Sequence, residues 1–250
     1  MKYPGTAALL GAAILAMVPQ AAAGLPTAGK LIALVSSQGC EWATLSPRLD
    51  NVAQVLRDDR RTTRVSIDRP ADPERNLDLA GRPSPFIAAI EASAPSFALR
   101  GLGRELRRGL GAECSVAVYL VHERRLLTTP RTWPLGEPAP TSKALVVSRR
   151  KPGLSVTAFD REWAGPHAEL ALAWRRARGG DGHYVQNLVV GSLGGDAPPA
   201  DGIGESEGPG AGPPDPQERQ ARMRTAAHSR AFQAEGSSRM FIARETVLKD

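Results

Sequence analysis

Two stretches of the sequence, each of about 105 residues, carry the same order of expected strands and helices. The first stretch predicts strands at 31–36, 63–67, 86–90 and 115–122, with helices at 45–56 and 97–110. The second predicts strands at 144–148, 184–190, 201–203 and 239–247, with helices at 156–176 and 217–235. Matching elements recur at an offset of roughly 113 to 122 residues, and only two copies are present, which indicates duplication rather than a solenoid.

The order β-α-β-β-α-β predicts an antiparallel sheet with both helices on one face, the ferredoxin-like arrangement. The other face of such a sheet is apolar and uncovered, so two units in one chain can pack sheet against sheet and close into a barrel. The expected fold is therefore α+β: tandem ferredoxin-like βαββαβ units that form an intrachain dimeric α+β barrel. Because one chain supplies both halves, a monomer suffices.

Domain boundaries follow from composition. Residues 128–142 (TTPRTWPLGEPAPTS) contain four prolines and no apolar periodicity, which is typical of a linker between units at 24–127 and 143–250. Residues 1–23 have a lysine, a short apolar run and a small-residue end, as a secretory signal peptide does. That run is too short for a stable membrane span. We expect export to the periplasm or medium; with a start at Met17 or later instead, the protein is cytoplasmic.

Composition excludes several classes of protein. Hydrophobic residues make up 42% and charged residues 23%, which excludes a disordered chain and a multi-span membrane protein. The net charge is +6, but 32 Lys and Arg are spread among 26 Asp and Glu, so no basic face for nucleic acid is expected. Two Cys and four His show no metal-ligand spacing. No cofactor motif is found, so neither a metal nor a cofactor is predicted.

Five landmarks in the second half resemble the EthD domain, a dimeric α+β barrel module. They are RRKPGL at 149–154, the Phe159-x3-Trp163-x3-His167 spacing, YVQN at 184–187, Asp201-Gly202 and the last strand MFIARETVL. The first half resembles a degenerate second copy. The resemblance implies a generic oxidoreductase activity, and some relatives decarboxylate or cyclise phenolic substrates.

The candidate catalytic residue is His167. Phe159, Trp163 and His167 share one face of the helix expected at 156–176, so the two aromatics are candidate substrate-binding residues. An imidazole in a barrel pocket, with a pKa near neutrality, suits general acid/base catalysis. The alternative is a histidine at the rim of the core, hydrogen-bonded to backbone. Pro166 predicts a kink or an end of the helix, which would turn His167 away from this face.

Two further positions complete the predicted catalytic group. Tyr184 and Asn187 lie on one strand at a spacing that points them to opposite faces. We predict that Tyr184 faces the barrel interior as an orienting donor, with Asn187 as a substrate-binding residue; a packed tyrosine is the alternative. Asp201 would orient His167 or receive a proton, unless Asp201-Gly202 is only a turn.

These observations predict a barrel protein that binds a small apolar molecule, phenolic or ketonic, with oxidoreductase or proton-transfer activity of the decarboxylase or cyclase kind. A redox step would need oxygen or an outside electron carrier. The alternative is a non-catalytic binding or accessory protein. It is supported by the altered loop around His167, the eroded first half, and an expected break in the strand after Asp201.

The two cysteines are expected to be neighbours. In a ferredoxin-like sheet the fourth strand lies beside the first and antiparallel to it; Cys40 follows the first strand and Cys114 precedes the fourth. An oxidising compartment would permit a disulfide between them. The alternative is a pair of reduced, buried thiols.

Overall fold

A computed structural model describes residues 28–78, 81–111, 114–179, 182–194, 197–207 and 215–250. The predicted signal peptide, residues 1–23, lies outside these ranges. Within them, no helix has both the length and the apolar character that crossing a bilayer requires.

Every strand and helix expected from the sequence is present. The strands are β1 Ala28–Ser36, β2 Arg64–Pro70, β3 Phe86–Pro95, β4 Val116–Leu127, β5 Lys143–Ser148, β6 Tyr184–Leu193, β7 Gly202–Glu207 and β8 Arg239–Lys249. The helices are α1 Trp42–Asp58, α2 Ser96–Leu110, α3 Val156–Glu162, α4 Ala168–Ala177 and α5 Pro216–Phe232, with a π-helical turn at Trp163–His167. The strand after Asp201 is not broken at Glu205 as expected, because β7 continues through Glu207.

The eight strands form a closed antiparallel barrel in the order β1-β3-β2-β8-β5-β7-β6-β4. Within the first half the neighbours run β4-β1-β3-β2, and within the second half they run β8-β5-β7-β6. The halves join along two seams, where β2 pairs with β8 and β4 pairs with β6. Every edge strand of one half is therefore hydrogen-bonded to the other half, which leaves no open sheet edge.

The first half packs its helices tightly against the outer face of its strands. The outward residues Leu31, Ala33, Val35 and Ile90 are 0% exposed, and residues of α1 and α2 belong to the same apolar cluster. Leu193 packs directly against Gly103 of α2. A Cβ on residue 103 would lie only 2.2 Å from the Cδ1 of Leu193, so this close packing requires glycine. The outer side of this half is a dense apolar core.

Side chains also fill the apolar half of the barrel interior. One buried cluster contains Ile32 and Tyr119 of the first half together with Leu145 and Phe241 of the second, and it includes no residue of any helix. The hydroxyl of Tyr119 donates to the carbonyl of Pro198 at 2.7 Å, which ties a loop across this end. The predicted cavity between the two sheets is therefore wrong for this part of the barrel, because large inward side chains occupy the space.

A disulfide joins Cys40 to Cys114, with 5.0 Å between their Cα atoms. Strand β1 lies antiparallel to β4, and Val35 at its end is opposite Val116 at the start of β4. This order brings the two cysteines together in the pairing expected from the sequence.

Candidate functional site

The other half of the barrel interior is charged rather than apolar. Lys30 on β1 places its Nζ 2.5 Å from Glu91 Oε2, and 2.6 Å from Glu205 Oε1. Lys143 on β5 places its Nζ 2.6 Å from Glu91 Oε1 and 2.9 Å from Asp68 Oδ1. The two lysines thus bridge carboxylates of both halves inside one barrel.

The pKa directions follow from burial and from this mutual pairing. Burial alone would lower the pKa of Lys30, but the carboxylates of Glu205 and Glu91 outweigh it and raise that pKa above its usual value. Burial raises the pKa of Asp68, and the carboxylates of Glu91 and Glu245 act in the same direction while Lys143 opposes them. Burial acts in the same direction on Glu205, but Lys30 and Lys143 overcome it and hold the pKa of Glu205 well below normal. At neutral pH the interior therefore holds charged lysines and ionised Glu205, and Asp68 is the member of the group whose protonation burial favours.

Three interior carboxylates converge as metal ligands do: Asp68, Glu91 and Glu245 have oxygens within 4.8 Å of one another. Lys143 places its ammonium among them, with Nζ 3.3 Å from Glu245 Oε1 in addition to its contacts with the other two. A metal ion there would have to displace a paired ammonium. The donor set therefore fits the lysine better than it fits a cation from solution.

The helices that cover the second half bury fewer apolar residues against their sheet than the helices that cover the first half. The buried cluster of the second half consists of Phe159, Trp163 and Phe232. Outside the barrel, Trp163 lies over β7, where a Cβ on Gly202 would be 2.5 Å from its ring. At the far end of β6 the outward-facing Val190 is 65% exposed. The outer face of this half is therefore incompletely covered, unlike the outer face of the first half.

His167 lies in this outer layer rather than in the barrel. Its ring centroid is 5.1 Å from that of Phe232 and 5.8 Å from that of His228, and its Nδ1 is buried without a hydrogen-bond partner among the described residues. Burial, with smaller effects of His228 and Arg175, lowers the pKa of His167 to about 4. The expected pKa near neutrality is wrong because burial holds the pKa well below the ordinary value of 6.5. The alternative, a histidine at the rim of the core, fits the position of His167, although its Nδ1 makes no backbone hydrogen bond among the described residues.

Pro166 does not end the helical segment, but the α-helix is interrupted where the proline lies. A π-helical turn at Trp163–His167 connects α3 to α4, and Pro166 lies within it. The wider turn accommodates a residue that has no N–H to donate. Trp163 and His167 are both buried in this segment.

Tyr184 and Asn187 do point to opposite faces of β6, but in the reverse sense to that predicted. The Tyr184 hydroxyl accepts from Gln186 Nε2 at 2.9 Å, and its ring lies under the guanidinium of Arg175 on α4, so Tyr184 faces outward. Asn187 faces inward, where its Nδ2 donates to Glu205 Oε1 at 2.6 Å. The interior position thus belongs to Asn187, and burial raises the pKa of Tyr184.

Asp201 does not reach His167. Its Oδ2 accepts from the backbone N–H of Arg150 at 2.9 Å, and its Oδ1 accepts from the guanidinium of the same residue at 2.9 Å. Asp201 therefore anchors the turn after β5, and the predicted role of orienting His167 is wrong. Of the predicted group, the structure brings Phe159, Trp163 and His167 into one layer and leaves Asn187 and Asp201 elsewhere.

The charged interior was missed by the sequence reasoning. Each of its members is a single charged residue in an otherwise apolar strand, as in Lys30 of AGKLIALVS and Glu91 of FIAAIEASAP. That signal was available, because one charge at an inward position requires a partner. Its partners, however, lie on strands that are distant in sequence, and pairing them needs the strand order of the closed barrel.

No profile of a known protein family matches the sequence, and no curated protein matches it. Among solved structures, one provisionally named a chlorite dismutase has 10% identity and a TM-score of 0.48, over 87% of this chain and 94% of its own. A provisionally named monooxygenase from Lactobacillus acidophilus has 6% identity and a TM-score of 0.47, over 89% and 96%. Another, from Fusobacterium nucleatum, has 8% identity and a TM-score of 0.48, over 89% and 92%. At these values the likenesses assign no function to the chain.

Proposed function

We propose that the second half binds a small, largely apolar molecule, phenolic or ketonic, between its helical layer and the outer face of its sheet. This location replaces the barrel interior, which side chains fill. The observation that carries the proposal is the buried imidazole of His167, whose Nδ1 has no partner among the described residues and whose ring lies against Phe232.

A buried polar atom without a partner costs about 1–3 kcal/mol, so a ligand that satisfies it gains that much in affinity. The aromatic rings of Phe159, Trp163 and Phe232 supply the apolar wall. The incompletely covered outer face of β6, where Leu188 is half-buried and Val190 is exposed, supplies apolar surface for the rest of the molecule. Such a combination of apolar walls and few polar groups is typical of small-molecule sites.

The low pKa of His167 keeps its imidazole neutral at pH 7, so its Nδ1 can accept a hydrogen bond from the O–H of a phenol. This imidazole is too weak a base to take the proton of a resting phenol, whose pKa is about 10, but the phenol becomes strongly acidic as it loses an electron. The finer form of the proposal is therefore an oxidoreductase activity in which oxygen or an external carrier accepts the electron while the proton passes to His167; in decarboxylation or cyclisation the imidazole would act as the hydrogen-bond acceptor that orients the substrate. We also infer that the two halves are tandem ferredoxin-like units of the dimeric α+β barrel kind, with an EthD-like second half.

The test compares 1-naphthol with naphthalene, which lacks the hydroxyl, by calorimetric titration. We expect one 1-naphthol per chain with a Kd below about 100 µM, and weaker binding of naphthalene by about tenfold. In His167→Phe the preference for 1-naphthol should disappear while naphthalene still binds. Phe97→Ala, which changes an aromatic residue 82% exposed on α2, is the control and should bind as wild type does. An unchanged preference in His167→Phe would overturn the proposal.

A non-catalytic binding protein is the second candidate. The observation in its favour is that Tyr184 and Asp201, the groups expected to assist His167, are hydrogen-bonded to Gln186 and Arg150 instead. Incubation of the protein with 1-naphthol in air, followed by chromatography, separates the two candidates. A new product absent from the His167→Phe reaction supports the enzyme, and tight binding without product supports the binding protein.

A further inference from the structure

A second pocket lies where the end of α4 meets the start of β6 and the end of β7. With the space open to solvent included, it measures about 270 Å³. Its lining residues are Trp174, Arg175, Arg178, Gly182, His183 and Glu207. None of them belongs to the wall proposed for the apolar molecule.

The guanidinium of Arg175 is buried here without a close ion pair among the described residues, and Glu207 attracts its charge only from a longer distance. Its side chain donates to the carbonyl of Ala171 at 3.0 Å, one hydrogen bond for a group that has five N–H donors. Through the part of the chain that the structure describes, no carboxylate oxygen lies within 4 Å of it. Its charge is instead held over aromatic rings, with Cζ 3.9 Å from the ring centroid of Tyr184 and 5.2 Å from that of Trp174.

Trp174 adds a directional donor to the same pocket. Its indole Nε1 is buried and has no hydrogen-bond partner among the described residues. A buried indole N–H normally finds an acceptor, so this one is expected to have an acceptor that the described residues do not supply.

We propose that this pocket binds a small oxyanion, a carboxylate group or an inorganic oxyanion, that accepts hydrogen bonds from Arg175 and from the Trp174 indole. A planar guanidinium matches two oxygens of such a group, and burial strengthens the attraction. Burial lowers the pKa of Arg175 to about 10, which leaves the guanidinium charged at neutral pH.

The other charged groups of the wall set the strength of binding. Arg178 lies 3.9 Å from Glu218 Oε1 through its Nε, and His183 lies 3.4 Å from Glu205 Oε2 through its Nε2. Glu207 is the acidic group of the wall, and its charge opposes an incoming anion. The pocket therefore binds anions less tightly than it would with a neutral residue at 207.

The site is separate from the one proposed above, although the charge of Arg175 contributes to the low pKa of His167. Arg175 follows His167 by eight residues, which along a helix is a rise of about 12 Å. An anion can therefore bind here whether or not an apolar molecule binds beside His167, and the two proposals fail separately.

The test follows the indole N–H signals of the full chain by NMR while sodium acetate or sodium phosphate is added at constant ionic strength. Trp174→Phe assigns the signal, and the indoles of Trp42, Trp133 and Trp163 serve as internal controls. We expect a saturable shift confined to Trp174, and the more effective anion shows whether the pocket prefers a carboxylate or phosphate.

Two variants make the outcome decisive. Arg175→Met should weaken anion binding at least tenfold. Glu207→Gln keeps the size of the side chain, removes a charge, and should tighten binding severalfold. If Arg175→Met does not fold, Glu207→Gln still tests the proposal. No saturable shift in the wild type or in Glu207→Gln, or weaker binding in Glu207→Gln, would overturn it.

Discussion

Lys143 of the second half extends into the barrel and places its Nζ 2.6 Å from Glu91 Oε1 of the first half. Lys30 contacts the other oxygen of the same carboxylate at 2.5 Å. Glu91 therefore lies between two lysines, one from each half. The halves are joined not only by hydrogen bonds along their seams but also by buried charge pairs across the interior.

Replacing one member of this network should be costly. Lys143→Met keeps an unbranched side chain but leaves Glu91 and Glu205 with one ammonium fewer, and we expect a loss of about 3–5 kcal/mol in the free energy of unfolding, because a buried charge loses its partner. Urea denaturation at pH 7 measures the change.

The matched control is Arg75→Met, which removes an exposed arginine whose Nε is 3.9 Å from Asp72 Oδ2. Surface pairs of this kind contribute about 0–1 kcal/mol. If Lys143→Met were as stable as Arg75→Met, the interior pairs would have no structural importance.

The disulfide should stabilise the fold by an amount that rises with the logarithm of the length of the loop that it closes. Cys40 and Cys114 are 74 residues apart, and the chain-entropy relation gives about 4 kcal/mol for a loop of that length. We expect the Cys40→Ala/Cys114→Ala double variant to unfold at a markedly lower urea concentration than oxidised wild type. Adding a reductant should lower the midpoint of the wild type and leave that of the variant unchanged. Equal midpoints with and without reductant in the wild type would contradict the pairing.

The sequence predicted the twelve elements because apolar periodicity is a local property, and β1 and α2 carry it clearly. It also predicted that Tyr184 and Asn187 face opposite ways, since alternation along a strand is local too. It did not predict which of them faces inward, because both surfaces of this strand are buried and polar. The hydrogen-bond partners determine the orientation: Gln186 holds Tyr184 on the outer face, and Glu205 holds Asn187 on the inner face. The environment of each face depends on packing between segments that are distant in sequence.

Trp163 packs against the outward face of β7, where residues 202 and 204 are both glycines. The close contact requires glycine at 202, whereas 204 has room for alanine. A Cβ at residue 202 would lie 2.5 Å from the Trp163 ring, whereas one at residue 204 would lie 3.8 Å from it, an ordinary contact. Gly202→Ala should therefore destabilise the protein by about 1–3 kcal/mol through overpacking. Gly204→Ala should change stability by less than about 1 kcal/mol. Thermal unfolding followed by Trp fluorescence compares the two, and equal losses would contradict this packing.

Acidification should weaken the fold through His167. Its folded-state pKa of about 4 is below the ordinary value of 6.5, so the stability that it contributes is present above pH 6.5 and is lost as the pH falls toward 4. The full loss is about 3 kcal/mol, since each pKa unit corresponds to about 1.4 kcal/mol.

The difference in unfolding free energy between wild type and His167→Phe isolates this effect. Asp68, whose pKa is raised, titrates in both proteins and cancels. Chemical denaturation at intervals from pH 7 to pH 4 should therefore show the wild type losing stability relative to His167→Phe. A constant difference across this range would show that the imidazole is not buried in its neutral form.

The most direct test of the proposed ligand site is a crystal structure of the protein grown with 1-naphthol. We predict electron density outside the barrel, beside Phe232, with the naphthol oxygen within hydrogen-bond distance of His167 Nδ1. Density inside the barrel between Tyr119 and Leu145, or an empty outer layer at a naphthol concentration that saturates binding in solution, would contradict the account.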